Sequence, residues 1–190
     1  MEFGKIIKTF KSKNGNIVVF RYPRENDLDD MLSFANDLID EDTYVLLSGK
    51  KLTRNEEKKH LHTTLKDIKN KQELHIVVEV NGAYAGNARV KKKTLRKSHV
   101  GEVGIAIGHR YRGDGVGTEL LRTLIKEAKK QELRLLTLTC FENNSQAFHL
   151  YEKLGFKSIG VIPEALLYKG NYIGEAVLYL SLVEVKKTVQ

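Results

Sequence analysis

The segment Arg112-Gly113-Asp114-Gly115-Val116-Gly117-Thr118 stands between a run with strand character at 99–107 and a run with helical spacing. In the second run Leu120, Leu121, Leu124, Ile125 and Ala128 fall on one side. A strand that enters a helix through three glycines is open to few folds. Without Cβ atoms the backbone can approach an anion closely. The first helical turn exposes unpaired N–H groups, and the helix dipole adds partial positive charge. Such a bend suits a pyrophosphate, and Arg112 adds a full charge beside it. Other glycine-rich phosphate loops do not match. A P-loop requires Lys after its last glycine, and Gly117 is followed by Thr118. The dinucleotide fingerprint is spaced G-x-G-x-x-G and opens a βαβ unit, whereas here the spacing is G-x-G-x-G, late in the chain.

The rest of the chain alternates strands and helices. Asn14-Gly15 and Asn81-Gly82 are hairpin dipeptides. The first divides 5–22 into two strands, with Ile17, Val19 and Arg21 on one face of the second and Val18, Phe20 and Tyr22 on the other. The second dipeptide joins 74–80 to 83–91. After Pro23, Asn26 or Asp27 caps a helix with apolar positions Leu28, Met31, Leu32, Ala35 and Leu38, closed by the acidic stretch 37–42. Thr53 and Glu56 form a capping box for a polar helix that runs to about Lys69. His60 and His62 lie two apart there, which does not place them on one face, so no metal site is expected. Strands follow at 134–141, 156–161 and 172–182, with a helix at 145–154 and a Gly170-Asn171 turn. The pattern predicts an α/β fold, a mixed sheet with helices on its faces. With 190 residues and no linker or repeat, a single domain over 1–190 is expected.

Composition excludes some classes. Hydrophobic residues at 41% and charged residues at 29% fit a globular chain rather than a disordered one. The net charge of +8 draws polyanions. The densest basic stretch, 91–97, lacks aromatics on which bases could stack, so it reads as a solvated loop and nucleic acid is not expected. No apolar run approaches the ~20 residues that span a bilayer, and Met1 to Lys5 lack the pattern of a signal peptide. With Cys140 as the single cysteine, a reducing, cytoplasmic setting is expected.

The glycine segment resembles the acyl-CoA signature of the GNAT superfamily of N-acetyltransferases, [Q/R]-x-x-G-x-[G/A], through Arg112, Gly115 and Gly117. A second element, from Asn144-Ser145-Gln146-Ala147 through Leu150-Tyr151-Glu152-Lys153-Leu154-Gly155-Phe156, is similar to the family's N-x-x-A-x-x-L-Y-x-K-x-G-F pattern at every fixed position. The similarity extends more loosely over about 15–182. It implies a mostly antiparallel twisted sheet with helices on both faces, and acetyl-CoA as cofactor. Residue by residue, it implies that backbone groups of Ile105, Ala106 and Ile107 pair with the pantetheine arm. Amides from Arg112 through Gly113, Asp114, Gly115, Val116, Gly117 and Thr118 hold the pyrophosphate. Asn144 contacts the arm from across a splay between strands, or caps the helix that it precedes, or does both. Tyr151 lies near the thioester sulfur.

The chemistry fits that placement. A neutral amine attacking a thioester gives a tetrahedral intermediate that expels a thiolate, and a phenol with pKa near ~10 can protonate it. Tyr151 is therefore the expected general acid, the alternative being a core tyrosine beside Leu150 and Phe156. Glu102 is the leading base and His99 its rival; strand alternation puts them on opposite faces unless a bulge intervenes. The acceptor pocket is expected around Glu41, Thr43 and Tyr44 and the loop before the last strand, where Tyr168 and Tyr172 flank the turn. Cys140 reads as a small buried thiol rather than a nucleophile, since nothing ties His149 to it. The expected reaction is acetylation of a small-molecule amine or amino-acid-like acceptor. Acetylation of a protein N-terminus or lysine, and a non-catalytic acyl-CoA-binding module, are the alternatives. A homodimer is compatible with all of them.

Overall fold

A computed structural model describes residues 2–183. Eight strands form one sheet: β1 (Ile6–Lys11), β2 (Ile17–Arg21), β3 (Glu73–Val80), β4 (Ala83–Lys92), β5 (Val100–Ile107), β6 (Leu135–Phe141), β7 (Lys157–Tyr168) and β8 (Asn171–Ser181). Their spatial order is β1-β2-β3-β4-β5-β6-β8-β7. All neighbours are antiparallel except β5 and β6. The four helices are α1 (Leu28–Glu41), α2 (Arg54–Lys69), α3 (Val116–Lys130) and α4 (Ser145–Lys153).

Strand alternation sorts the side chains onto two faces. Val18, Phe20, Ile76, Val78, Val90, Val103, Leu136 and Leu138 pack with Leu120, Leu121 and Leu124 of α3 and Tyr151 of α4 in one core. A second, smaller cluster joins Leu28 and Met31 of α1 to Leu61 and Leu65 of α2, with Tyr84 against it. The helices thus lie on both faces, as the resemblance implied. None among the described residues is long and apolar enough to cross a membrane.

Three expectations are corrected. Asp27 does not cap α1 with its side chain. It is buried instead, and its carboxylate accepts two hydrogen bonds from the Arg21 guanidinium at 2.7 and 2.8 Å. Strand β7 does not stop at Val161 but runs to Tyr168, through Pro163, with a register shift between Ile162 and Leu166. It is an edge strand, where a missing N–H and a bulge are tolerated. Strand β5 begins at Val100, so His99 lies outside it.

Candidate active site

The two parallel strands at the centre of the sheet part company. Strands β5 and β6 pair only as Val100 with Leu135, Gly101 with Leu136 and Glu102 with Thr137. Beyond that point β5 stays on β4 as far as Ile107 opposite Gly86, and β6 stays on β8 as far as Phe141 opposite Glu175. Each strand keeps its outer partner, and a wedge of main chain opens between them. Ile105, Ala106 and Ile107 lie along it. An extended ligand with amide groups can enter such a wedge as an added strand.

The glycine bend lies at the end of β5. Gly113 and Gly115 have φ of +76° and +83°, the left-handed region that glycine enters without strain. Gly115 is the N-cap of α3, and no side chain caps that end. The amides of Gly113 through Thr118 donate to no protein acceptor among the described residues. A Cβ at Gly113 would meet nothing within 4 Å, so the bend is open. Free amides at a helix start, open space and a dipole together suit an anion.

The charges around the bend are not arranged as expected. Arg112 turns its guanidinium sideways: Nε donates to the Ile107 carbonyl at 2.8 Å, and the two terminal nitrogens grip both carboxylate oxygens of Glu41. Arg112 and Glu41 therefore tie the end of α1 to the bend, and Glu41 does not offer the acceptor a free carboxylate. Asp114 points away from the bend, into the β1–β2 turn. Hydrogen bonds from Ser12, Asn14 and Asn16 and the charge of Lys13 hold its carboxyl below the usual carboxylate range. The Asn14 amide lies 2.7 Å from it and Asn16 Nδ2 3.2 Å. The tie lays the Lys13 stem over the bend, where a Cβ on Gly115 would lie 3.5 Å from Lys13 Cε. Lys13 thus supplies the nearby cation that Arg112 does not, from a turn in which no motif marks it.

Helix α4 closes the other side. A Cβ on Gly117 would sit 3.7 Å from Leu150 Cδ2, so Leu150 backs the bend and Tyr151 follows it. Tyr151 is buried, its ring 5.8 Å from that of Phe156, and burial pushes its phenol well above the ordinary value. Asn144 Oδ1 accepts from the Ala147 amide at 3.2 Å, the capping role, which leaves its amide NH2 for other partners. Burial, with the charge of Glu175, pushes the Cys140 thiol up to about 11. His149 is exposed and bonds the Ser145 carbonyl.

On the acceptor side, Glu102 occupies the last position of β5 that pairs with β6, where the wedge begins, and its exposed carboxylate is paired with Lys93. His99 is exposed, six residues before Ile105, a path of about 20 Å along an extended chain. Tyr44 meets Phe141 edge-on with ring centres 5.5 Å apart and Tyr168 at a tilt with centres 5.0 Å apart, and Phe141 meets Tyr168 edge-on at 5.3 Å. Thr43, two residues beyond α1, is half-buried at the start of the same segment. Tyr172 is exposed and lies outside this cluster. Phe141 carries no sequence signal apart from ending an apolar strand.

A bare helix start beside a split in a central sheet defines an α/β protein built to hold a phosphorylated, extended ligand. Residues 35–156 match the acetyltransferase (GNAT) family, and the chain belongs to it. It is 31% identical over 101 residues to an L-amino acid N-acetyltransferase of Escherichia coli, covering 52% of this chain and 62% of that protein. It is 32% identical over 107 residues to an N-alpha-acetyltransferase of Sulfurisphaera tokodaii, covering 50% of this chain and 63% of that protein. The match thus spans less than two thirds of either relative. Among solved structures, a GNAT-family acetyltransferase from Streptococcus pneumoniae superposes with a TM-score of 0.77 at 26% identity, covering 86% of this chain and 98% of that one.

Proposed function

We propose that this chain is an acetyl-CoA-dependent N-acetyltransferase that acts on a primary amine by direct transfer. The observation that carries the reading is the set of unpartnered amides at Gly113 to Thr118, next to the open wedge between β5 and β6. The residues fit coenzyme A: the bend suits its diphosphate, the wedge its amide-bearing arm, and Lys13 adds charge beside the bend. When bound, acetyl-CoA supplies an activated acetyl thioester.

The chain's own groups have separate tasks. Amides of the bend bind the diphosphate, while Ile105 to Ile107 and the Asn144 amide group hold the arm on its two sides. Glu102, at the mouth of the wedge, takes the proton from the incoming ammonium directly or through one water, the ammonium taking the place of the exposed Lys93 partner. Its position favours it over His99, which lies a further three residues back. Tyr151, kept protonated by burial, donates its phenolic proton to the departing sulfur. Thr43 and Tyr44, with Phe141 and Tyr168, border the acceptor.

Calorimetric titration with acetyl-CoA, followed by free-thiol release with a panel of amines, tests the proposal. Binding with amine-dependent thiol release is the expected result. Binding without release for any amine would turn the reading to a non-catalytic acyl-CoA-binding module, and absence of binding would remove it altogether.

A further inference from the structure

On the face of the sheet opposite α3, Arg89 of β4 lies across Gly104 of β5. The two are register partners, and a Cβ on Gly104 would sit 3.5 Å from Arg89 Nε and 3.6 Å from Arg89 Cγ. Gly104 is two residues past Glu102, on the stretch of β5 that β6 has left. The arginine therefore lies against the wedge, next to the proposed base and on the same face. Arg89, Lys91, Lys93, Glu102 and Gly104 line a concavity of about 300 Å³ there. Glu102 is paired with Lys93, and Lys91 with Asp67. Arg89 is exposed and forms no ion pair or hydrogen bond among the described residues.

We infer that this concavity selects an amine that carries an anionic group close to its nitrogen, the α-carboxylate of a free amino acid being the simplest case, with Arg89 as the residue that recognises it. The inference rests on the proposed acetyl transfer and names the acceptor class. A guanidinium holds a carboxylate or phosphate through two parallel hydrogen bonds, which fixes direction as well as charge. Arg89 and Glu102 are diagonal neighbours on one face of two antiparallel strands, a spacing of about 7–8 Å. An α-amino acid with its hydrogen bonds fills that gap, its carboxylate on Arg89 and its nitrogen turned towards Glu102. Gly104 leaves the room: a Cβ there would already stand in van der Waals contact with Arg89, and a side chain longer than alanine's would take the space against which the guanidinium lies. A polyamine, carrying only positive charge, offers Arg89 no anionic partner, and Arg89 is the one cation of the three whose charge is not already paired among the described residues.

The test is steady-state thiol release with acetyl-CoA and four sets of acceptors: the twenty amino acids, their amides, phosphoethanolamine, and spermidine. A peptide with an acidic N-terminal segment is run alongside. For the best amino acid, kcat/KM is expected to exceed that of its amide by roughly 10- to 100-fold, the usual scale of a charge-assisted hydrogen-bonded pair. Arg89→Gln brings that ratio close to one, Arg89→Lys gives an intermediate ratio, and Lys97→Gln, which removes an equal charge from the exposed turn before β5, leaves it unchanged. Phosphoethanolamine turned over with the same dependence on Arg89 assigns the site to phosphate-bearing amines within the class. The inference is overturned by equal use of acid and amide, by preference for spermidine or for the peptide, or by a ratio that survives Arg89→Gln. Acetyl-CoA binding measured alone separates the two levels. If it binds and only neutral amines react, the transferase reading stands and the acceptor class falls; if it does not bind, the transferase reading itself fails.

Discussion

Asp114 and Asn14 lie a hundred positions apart in the chain, and the Asn14 amide donates to the Asp114 carboxylate at 2.7 Å. The bond makes the β1–β2 turn part of the glycine bend and sets Lys13 over it. Because the folded-state pKa of Asp114 is lowered below its ordinary 3.8, its stabilising contribution is complete at neutral pH. It is lost as the pH falls from 3.8 through the folded-state value. The expected outcome for Asp114→Asn is a lower melting temperature than the parent at pH 7, with the difference shrinking below about pH 4. Melting curves of both proteins from pH 3 to pH 8 check this; a gap that does not change with pH would show that the carboxylate's charge is not what holds the turn.

Gly117→Val places two methyl groups in a bend already backed by Leu150 and Ile107. The expected result is a loss of acetyl-CoA affinity of about tenfold or more, equivalent to ~1.4 kcal/mol. Calorimetry reads it, and a melting curve shows that the variant is folded. Unchanged affinity would move the diphosphate away from this bend.

Tyr151→Phe keeps the ring against Phe156 and removes only the hydroxyl. Turnover should fall by ~10²–10⁴-fold, the scale for loss of a general acid, with little change in acetyl-CoA binding. Since burial raises the phenol above its ordinary value, the parent's kcat should show no loss of this acid as the pH rises to 9. Full activity in the variant would return Tyr151 to a packing role.

Cys140 is buried, its thiol pushed up to about 11. Direct transfer has no use for it. Cys140→Ala should keep most of the activity, and the native thiol should resist iodoacetamide at pH 7.5, where little thiolate exists. Rapid alkylation accompanied by inactivation would instead point to an acyl-cysteine route.

Arg21 and Asp27 are 3% and 1% exposed and hydrogen-bond in a bidentate pair, with Glu79 on the remaining Arg21 nitrogen at 2.7 Å. Asp27→Ala leaves a buried guanidinium with Glu79 as its one anionic partner and the Tyr22 carbonyl as a neutral one. A destabilisation of about 3 kcal/mol is expected, at the lower end for breaking a buried pair because Glu79 remains. The shift of the urea midpoint measures it, and a loss under about 1 kcal/mol would mean that water reaches Arg21.

What could be read from the sequence was local. Asn81-Gly82 turns its hairpin because both residues take positive φ, +50° and +83°, as a tight hairpin turn demands. Thr53 and Glu56 cap α2 reciprocally. The bend is set by Gly113 and Gly115, both in left-handed conformations, at the start of α3. Each of these depends on residues within a few positions of one another, and the local backbone has little choice. Tertiary structure alone decided that Arg112 grips Glu41, that Lys13 stands over Gly115, that Arg89 lies across Gly104, and that Phe141 joins Tyr44 and Tyr168. It also decided that β7 continues past Pro163, which depends on β7 being the sheet's edge. Such relationships follow from strand order, register and the face on which a side chain falls. A one-residue slip in pairing would reverse every one of those faces, so they are settled only when the whole sheet has chosen its register.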